Sequence, residues 1–103
     1  MTEKVLATYF TGEMGYKGDN LNDGRFWYAE LSNDPDARDY SALGGLEHMH
    51  PLRITYNGKS AIAYKGDLGG GGINRPKIDL HETLSNYLGF TPVGLDYVYI
   101  EHV

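Results

Sequence analysis

Alternating apolar and polar positions predict short β-strands at several points along the chain. In residues 4–10 (KVLATYF) and residues 96–101 (DYVYIE), alternate positions would fall on opposite faces of an extended chain. This two-residue period is typical of a β-strand. Residues 25–31 (RFWYAEL) are rich in aromatic side chains, which favour extended structure. These three segments are therefore predicted to be strands.

A β-hairpin is predicted over residues 52–65. Its two strands, LRITY and KSAIAYK, flank the dipeptide Asn57-Gly58. This dipeptide is preferred in type I′ turns because both central residues need a positive φ. Pro51 is expected to end whatever structure precedes the hairpin.

A short helix is predicted to end at about Leu88. Asp79, followed by Glu82 three positions later, has the pattern of a helix N-cap with a capping box. Gly89 suits the left-handed position that follows a helix. As a cap, Asp79 would have a lowered pKa and would be a poor general acid.

The order of these elements predicts one small, mainly β domain over residues 1–103. Fourteen glycines against four prolines indicate many turns. In order, the predicted elements are a strand, a long loop at residues 11–24, a strand, an irregular turn, the hairpin, a glycine-rich loop, the helix and a final strand. This order suits a closed barrel of short strands better than a parallel sheet covered by helices.

Charge and composition exclude several classes of partner. The formal net charge is -5 and no basic patch is visible, which argues against a nucleic-acid partner. No segment is apolar for long enough to predict membrane insertion. The chain has no cysteine, so disulfides and thiolate chemistry are excluded, and no cofactor signature is present. The opening MTEKVLATYF lacks a signal-peptide pattern, so we expect an intracellular protein, a mature fragment or a virion component.

Candidate chemistry is concentrated in the segment KGDLGGGGINRPKIDL, residues 65–80. It carries Asp67 before a run of four glycines and Asp79 after it, so the two acids could meet in space. Paired carboxylates are the minimum for proton transfer on a sugar bond. The alternative is structural, with Asp67 in a turn and Asp79 at the helix cap. Glu30 is a third candidate acid, and a solvent-facing strand position is its alternative.

Aromatic side chains could form a surface on which sugars stack. Tyr9, Tyr16, Trp27 and Tyr28 are the candidates for substrate binding. At strand spacing most aromatic residues belong to a core, so one or two are expected to be exposed in a groove.

The two histidines at positions 48 and 50 have a spacing that a metal ion can use. No third ligand lies at a recognisable distance in sequence. We therefore predict no metal site and expect His48 and His50 to be solvated loop residues.

Four segments in order resemble the double-psi β-barrels of the expansin, barwin and rare-lipoprotein-A group. They are ATYFTGEMGYKGDNL, YAELSN, LRITYNGKSAIAYKGDLG and RPKIDLHETLSNYLGF. The resemblance implies a six-stranded double-psi barrel with one short helix, acting on a cell-wall glycan such as peptidoglycan. It implies that Asp67 is the acid of the glycan groove, that Asp79 lies nearby, and that Ser32 of the YAELSN segment contacts the substrate.

The chain departs from this family at the proposed acid. The rare-lipoprotein-A group has NDRGPF there, whereas this chain has KGDLGGG, without the arginine and proline. The resemblance nevertheless implies a lytic transglycosylase-like or glycoside-hydrolase-like activity as one expectation. A non-catalytic structural or interaction module, such as a phage tail or surface component with protein partners, is the alternative. The expected location is extracellular, on the cell wall or in a virion.

Overall fold

Six strands close into one barrel in the computed structural model, which describes residues 2–34, 38–71 and 75–103. In chain order the elements are β1 (Thr2–Phe10), β2 (Trp27–Leu31), β3 (Pro51–Tyr56), β4 (Lys59–Gly69), β5 (Ile78–His81), α1 (Glu82–Leu88) and β6 (Leu95–His102). Around the barrel the strand order is β1-β5-β2-β4-β3-β6. The mainly β architecture with one short helix is therefore confirmed.

Parallel and antiparallel ladders alternate around part of the barrel. β1 pairs with β5 and β2 pairs with β4 in parallel, whereas the other four ladders are antiparallel. Closure leaves no strand of the barrel with an open edge. All six strands contribute to the buried core, whose members are Val5, Ala7, Tyr28, Leu52, Ile54, Ala63, Ile78, Leu80, Leu84, Leu88, Phe90, Val98 and Ile100.

The predicted hairpin is confirmed. β3 and β4 pair from Tyr56 and Lys59 outward, with Asn57 and Gly58 at the turn. Both turn residues have positive φ, 51° and 83°, as a type I′ turn requires. Pro51 is the first residue of β3, a position where its missing N–H costs little.

The helix is confirmed, but its predicted cap is wrong. His81 is the N-cap and its side chain accepts from the Thr83 N–H, while Gly89 adopts the predicted left-handed conformation at the C-terminal end. Asp79 lies in β5, which is hydrogen-bonded to β1 on one side and to β2 on the other. These two ladders keep the chain extended through residue 81, so the helix begins later than the Asp-x-x-Glu pattern predicts.

The loop at residues 11–24 folds against the outside of the barrel. The Tyr16 N–H donates to the carbonyl of Gly66 in β4 at 3.2 Å. A Cβ on Gly15 would lie 1.8 Å from that carbonyl oxygen, so only glycine permits this approach. The loop thereby buries Leu21 and places the Tyr16 backbone N–H beside the Asp67 carboxylate.

The last residue of the four-glycine run, Gly72, lies outside the described residues. Across the residues that the structure describes, none of the helical structure combines the length and apolar character needed to cross a bilayer.

Candidate functional site

The strand register brings the two aspartates together across one strand. Ala29 of β2 pairs with Asp67 of β4 on one side and with Asp79 of β5 on the other. Asp79 pairs in turn with Thr8 of β1, and Thr8 pairs with Leu95 of β6. Residues opposite each other on neighbouring strands point to the same face of a sheet. We call these five residues the acid row, and it crosses the outside of the barrel.

Asp79 is held in the acid row by a side-chain hydrogen bond from β1. The Thr8 hydroxyl donates to Asp79 Oδ1 at 3.0 Å. Burial raises the pKa of Asp79, the Thr8 hydrogen bond opposes that rise, and the nearby charge of Asp67 adds to it, so that the pKa is about 6. Burial is the dominant effect because it penalises the ionised form. The expected lowering of this pKa by a helix cap is therefore wrong.

Asp67 lies in a more polar environment than Asp79. Burial also raises the pKa of Asp67, but backbone N–H groups of Leu68 and Tyr16 and the proximity of His81 oppose that rise. Tyr16 owes its place to the close loop packing at Gly15. The two acids therefore differ in environment, which is the arrangement that separates a proton donor from an ionised partner.

An open cavity of about 370 Å³ lies over one end of the acid row. Its lining residues are Thr8, Leu31, Gly69, Gly70, Gly71, Pro76, Asp79 and Leu95. Asp79 faces this cavity, whereas Asp67 lies on the far side of Ala29 and is not part of the lining. A ligand in the cavity would therefore meet Asp79 first.

The predicted aromatic surface is only partly present. Tyr9 and Tyr16 are exposed, but neither lines the cavity beside Asp79, so their contact with a substrate stays a prediction. Trp27 and Tyr28 are fully buried, so their prediction as sugar-stacking residues is wrong. Trp27 is covered by the 11–24 loop and donates to Asp23 at 3.1 Å. Tyr28 points into the core.

Ser32 is also buried. Its hydroxyl accepts from the Tyr40 N–H at 3.4 Å. The Ser32 side chain therefore joins the end of β2 to the segment around residue 40. Because the side chain is buried, its predicted contact with substrate is wrong.

Glu30 is buried with its side chain turned inward, so both its prediction as a third acid of the site and the alternative of a solvent-facing position are wrong. It pairs with the core residue Ile78, which turns its side chain inward. One carboxylate oxygen accepts from Lys65 Nζ at 2.8 Å, and the same group accepts backbone N–H bonds from Leu43, Gly45 and Leu46. The ion pair with these bonds fixes the 43–46 segment against the barrel.

His48 and His50 are partly exposed loop residues, as expected, and each also makes a polar contact. His48 Nε2 lies 2.5 Å from Asp19 Oδ2, and His50 Nε2 lies 2.7 Å from His102 Nδ1. Burial and the neighbouring His102 lower the pKa of His50. Within the described parts of the chain, no three potential ligands of the His, Cys, Asp or Glu types cluster as a metal would need.

Thr8 and Leu95 are site residues that sequence reasoning missed. Thr8 alternates with the buried Val5 and Ala7, and this phase could have marked it as facing outward. Its partners come from strands 71 and 87 positions later in the chain, Asp79 and Leu95. No local pattern contains those pairings.

The barrel is similar to several solved structures at low sequence identity. A mutant of Clavibacter michiganensis expansin in complex with cellohexaose has a TM-score of 0.74 and 19% identity, covering 100% of this chain and 50% of that chain. Streptomyces papain inhibitor has a TM-score of 0.66 and 17% identity, covering 100% and 94%. The computationally designed msDPBB_sym2 protein has a TM-score of 0.55 and 18% identity, covering 98% and 100%.

These likenesses define the fold class. The chain is a double-psi β-barrel, as the sequence resemblance implied. It spans about half the length of the expansin chains that it resembles. No protein-family model matches the sequence, and a search of curated proteins gives no significant match.

Proposed function

We propose that this barrel binds a β-linked cell-wall glycan, such as peptidoglycan, across the acid row and remodels it by general acid chemistry. The observation that carries the proposal is Asp79, a carboxyl group with a pKa raised to about 6 that borders an open cavity. A second carboxyl, Asp67, lies across one strand. The expansin with the same fold, solved with cellohexaose, supports a glycan as the ligand class.

Asp79 is the proton donor in this proposal. Thr8 donates to Oδ1, which directs the proton of the neutral acid to Oδ2. From there the proton can pass to a glycosidic oxygen as its bond to the anomeric carbon breaks. Ionised Asp67 would stabilise the positive charge that develops on the sugar. Proton donation of this kind begins both hydrolysis and a lytic transglycosylase-like reaction, and a substrate in the cell wall implies action outside the cytoplasm.

The first test separates binding from chemistry. Purified bacterial sacculi are incubated with the parent chain, Asp79→Asn and Asp67→Asn, with Glu3→Gln as an exposed control at the far end of β1. The retained protein and the released fragments are then measured by sedimentation and mass analysis. Asp79→Asn should still bind, because its amide can occupy the same place, but should release fragments at least about 100-fold more slowly. Release by the parent should increase as the pH falls toward 6.

Two outcomes contradict the proposal at different levels. Equal release by the parent and Asp79→Asn would show that Asp79 is not the acid. No retention of the parent on sacculi or on cellulose would reject glycan binding altogether. The alternative of a non-catalytic structural module, such as a virion component, would then be favoured by regular copies of the chain in a purified particle.

A further inference from the structure

Two tyrosines stand outward on β6 without a role in the site described above. Tyr97 and Tyr99 are 51% and 48% exposed, while Val98 and Ile100 between and beyond them are buried in the core. Leu95, on the same face of β6, is also exposed and lines the cavity beside Asp79. We call Leu95, Tyr97 and Tyr99 the tyrosine strip.

The register places the tyrosine strip on the same face as the acid row. Leu95 is the β6 member of that row, through its pairing with Thr8. Two residues further along, Tyr97 pairs with Leu6 of β1. Successive side chains on one strand face are about 7 Å apart. The tyrosine strip therefore continues the surface of the acid row. The acid row runs across the strands, whereas the strip starts at Leu95 and runs along β6.

The strip has the chemistry of a stacking surface. Lys4 Nζ lies 4.9 Å from the centroid of the Tyr97 ring, which restrains that ring before any ligand binds. A phenol ring offers an apolar face and a polar tip, which suits the C–H faces and hydroxyl edges of a sugar. An exposed ring that is already restrained loses little conformational freedom on binding.

The closed barrel argues for a glycan on the strip rather than an extended peptide. β6 is hydrogen-bonded to β1 on one side and to β3 on the other. It therefore has no free backbone edge to which a peptide strand could add. Side chains alone must hold the ligand, and the strip joins directly onto the cavity that the proposed function assigns to a glycan.

We propose that the tyrosine strip is an additional glycan-binding subsite, in which sugar units beyond those at the acid row stack on Tyr97 and Tyr99. This inference rests on the proposed function, because it extends the same groove. It predicts that the strip adds affinity for long oligosaccharides and none for short ones, which end at the cavity.

The test is calorimetric titration with short and long members of two neutral series, cellobiose with cellohexaose and chitobiose with chitohexaose. Tyr97→Ala and Tyr99→Ala should each weaken binding of the hexasaccharide by about tenfold and leave disaccharide binding unchanged. Tyr87→Ala is the matched control, since Tyr87 is 44% exposed but lies on α1 against Phe26 and Lys59. Tyr97→Phe, which keeps the ring, should retain hexasaccharide affinity within about twofold.

A measurement on the unaltered chain protects the test against variants that fold poorly. Backbone amide signals of residues 95–99 should shift with the hexasaccharide and not with the disaccharide. If the parent binds the hexasaccharide and both alanine variants bind it equally well, the subsite on the tyrosine strip is wrong. The proposed glycan binding at the acid row is then unaffected. If the parent binds neither series, the proposed function fails and the strip fails with it. A parent dimer that the alanine variants convert to monomers would assign the strip to self-association and overturn the proposal.

Discussion

Asp79 shows how one side chain takes its chemical character from distant parts of the chain. Its nearest polar partner, Thr8, comes from β1, and Ala29 on its other side comes from β2. The Thr8 hydrogen bond favours the ionised carboxylate, but burial between these strands outweighs it and the pKa rises to about 6. The same burial that prepares a proton donor must reduce the stability of the folded barrel at neutral pH.

Replacement of Asp79 by Asn should stabilise the fold at neutral pH. The folded-state pKa of about 6 lies above the ordinary value of 3.8. The folded chain therefore binds the proton more tightly, and this stabilisation is present below pH 3.8 and is lost as the pH rises to 6. The neutral amide escapes this loss, so above pH 6 the variant should gain on the order of 1–2 kcal/mol in free energy of unfolding. Urea denaturation across this pH range measures the difference, which should vanish at the acid end.

Asp96→Asn is the control with the opposite sign. The Tyr97 N–H and the Tyr56 hydroxyl lower the pKa of Asp96, so its ionised form is the favoured one. Its replacement should therefore reduce stability at neutral pH. A less stable Asp79→Asn variant at neutral pH would show that the Asp79 carboxylate is not a penalised buried charge.

At the level of elements, the hairpin could be predicted from a strong local sequence signal. The strand β5 and the environments of the two acids could not, because they depend on pairing between distant strands. The hairpin was predicted from Asn57-Gly58, since the required positive φ values depend on those two residues alone. β5 was missed because it has only four residues, Ile78–His81, and its sequence also fits a helix cap. The proximity of Asp67 and Asp79, on either side of Ala29, was anticipated from the segment that the two acids share. Their environments were not, because ladders from β1 and β2 decide them.

The turn between β3 and β4 can be tested by a matched pair of substitutions. Gly58 has φ 83°, whereas Gly70 is not among the glycines with positive φ, and a Cβ at either position would meet no atom within 4 Å. Gly58→Ala should therefore cost about 1–2 kcal/mol through backbone strain alone. Gly70→Ala should change stability by less than about 0.5 kcal/mol. Equal effects in chemical denaturation would mean that the hairpin does not hold its left-handed turn.

At the scale of the whole molecule, closure of the barrel creates the site. The acid row draws one residue from each of five strands, in the spatial order β4, β2, β5, β1 and β6. No two strands that are neighbours in this row follow one another directly in the chain. Local patterns therefore predict the strands but not the surface they share. The tyrosine strip differs in that it lies on one strand, so the alternation of Tyr97 and Tyr99 with Val98 and Ile100 is already visible in the sequence.

The negative net charge of the whole molecule should affect its affinity for anionic wall polymers but not for neutral ones. The chain carries a formal charge of -5 and measures 32 × 28 × 27 Å. At about 0.01 M salt the screening length is about 30 Å, so the full charge acts on a ligand, whereas at about 0.1 M it falls to about 10 Å. Affinity for a neutral hexasaccharide should therefore change less than about twofold over this range, and affinity for an anionic wall polymer should increase as repulsion is screened. Calorimetric titrations at both salt concentrations measure these two affinities. A steep loss of neutral-glycan affinity with salt would show that charged contacts, rather than stacking and hydrogen bonds in the groove, hold the ligand.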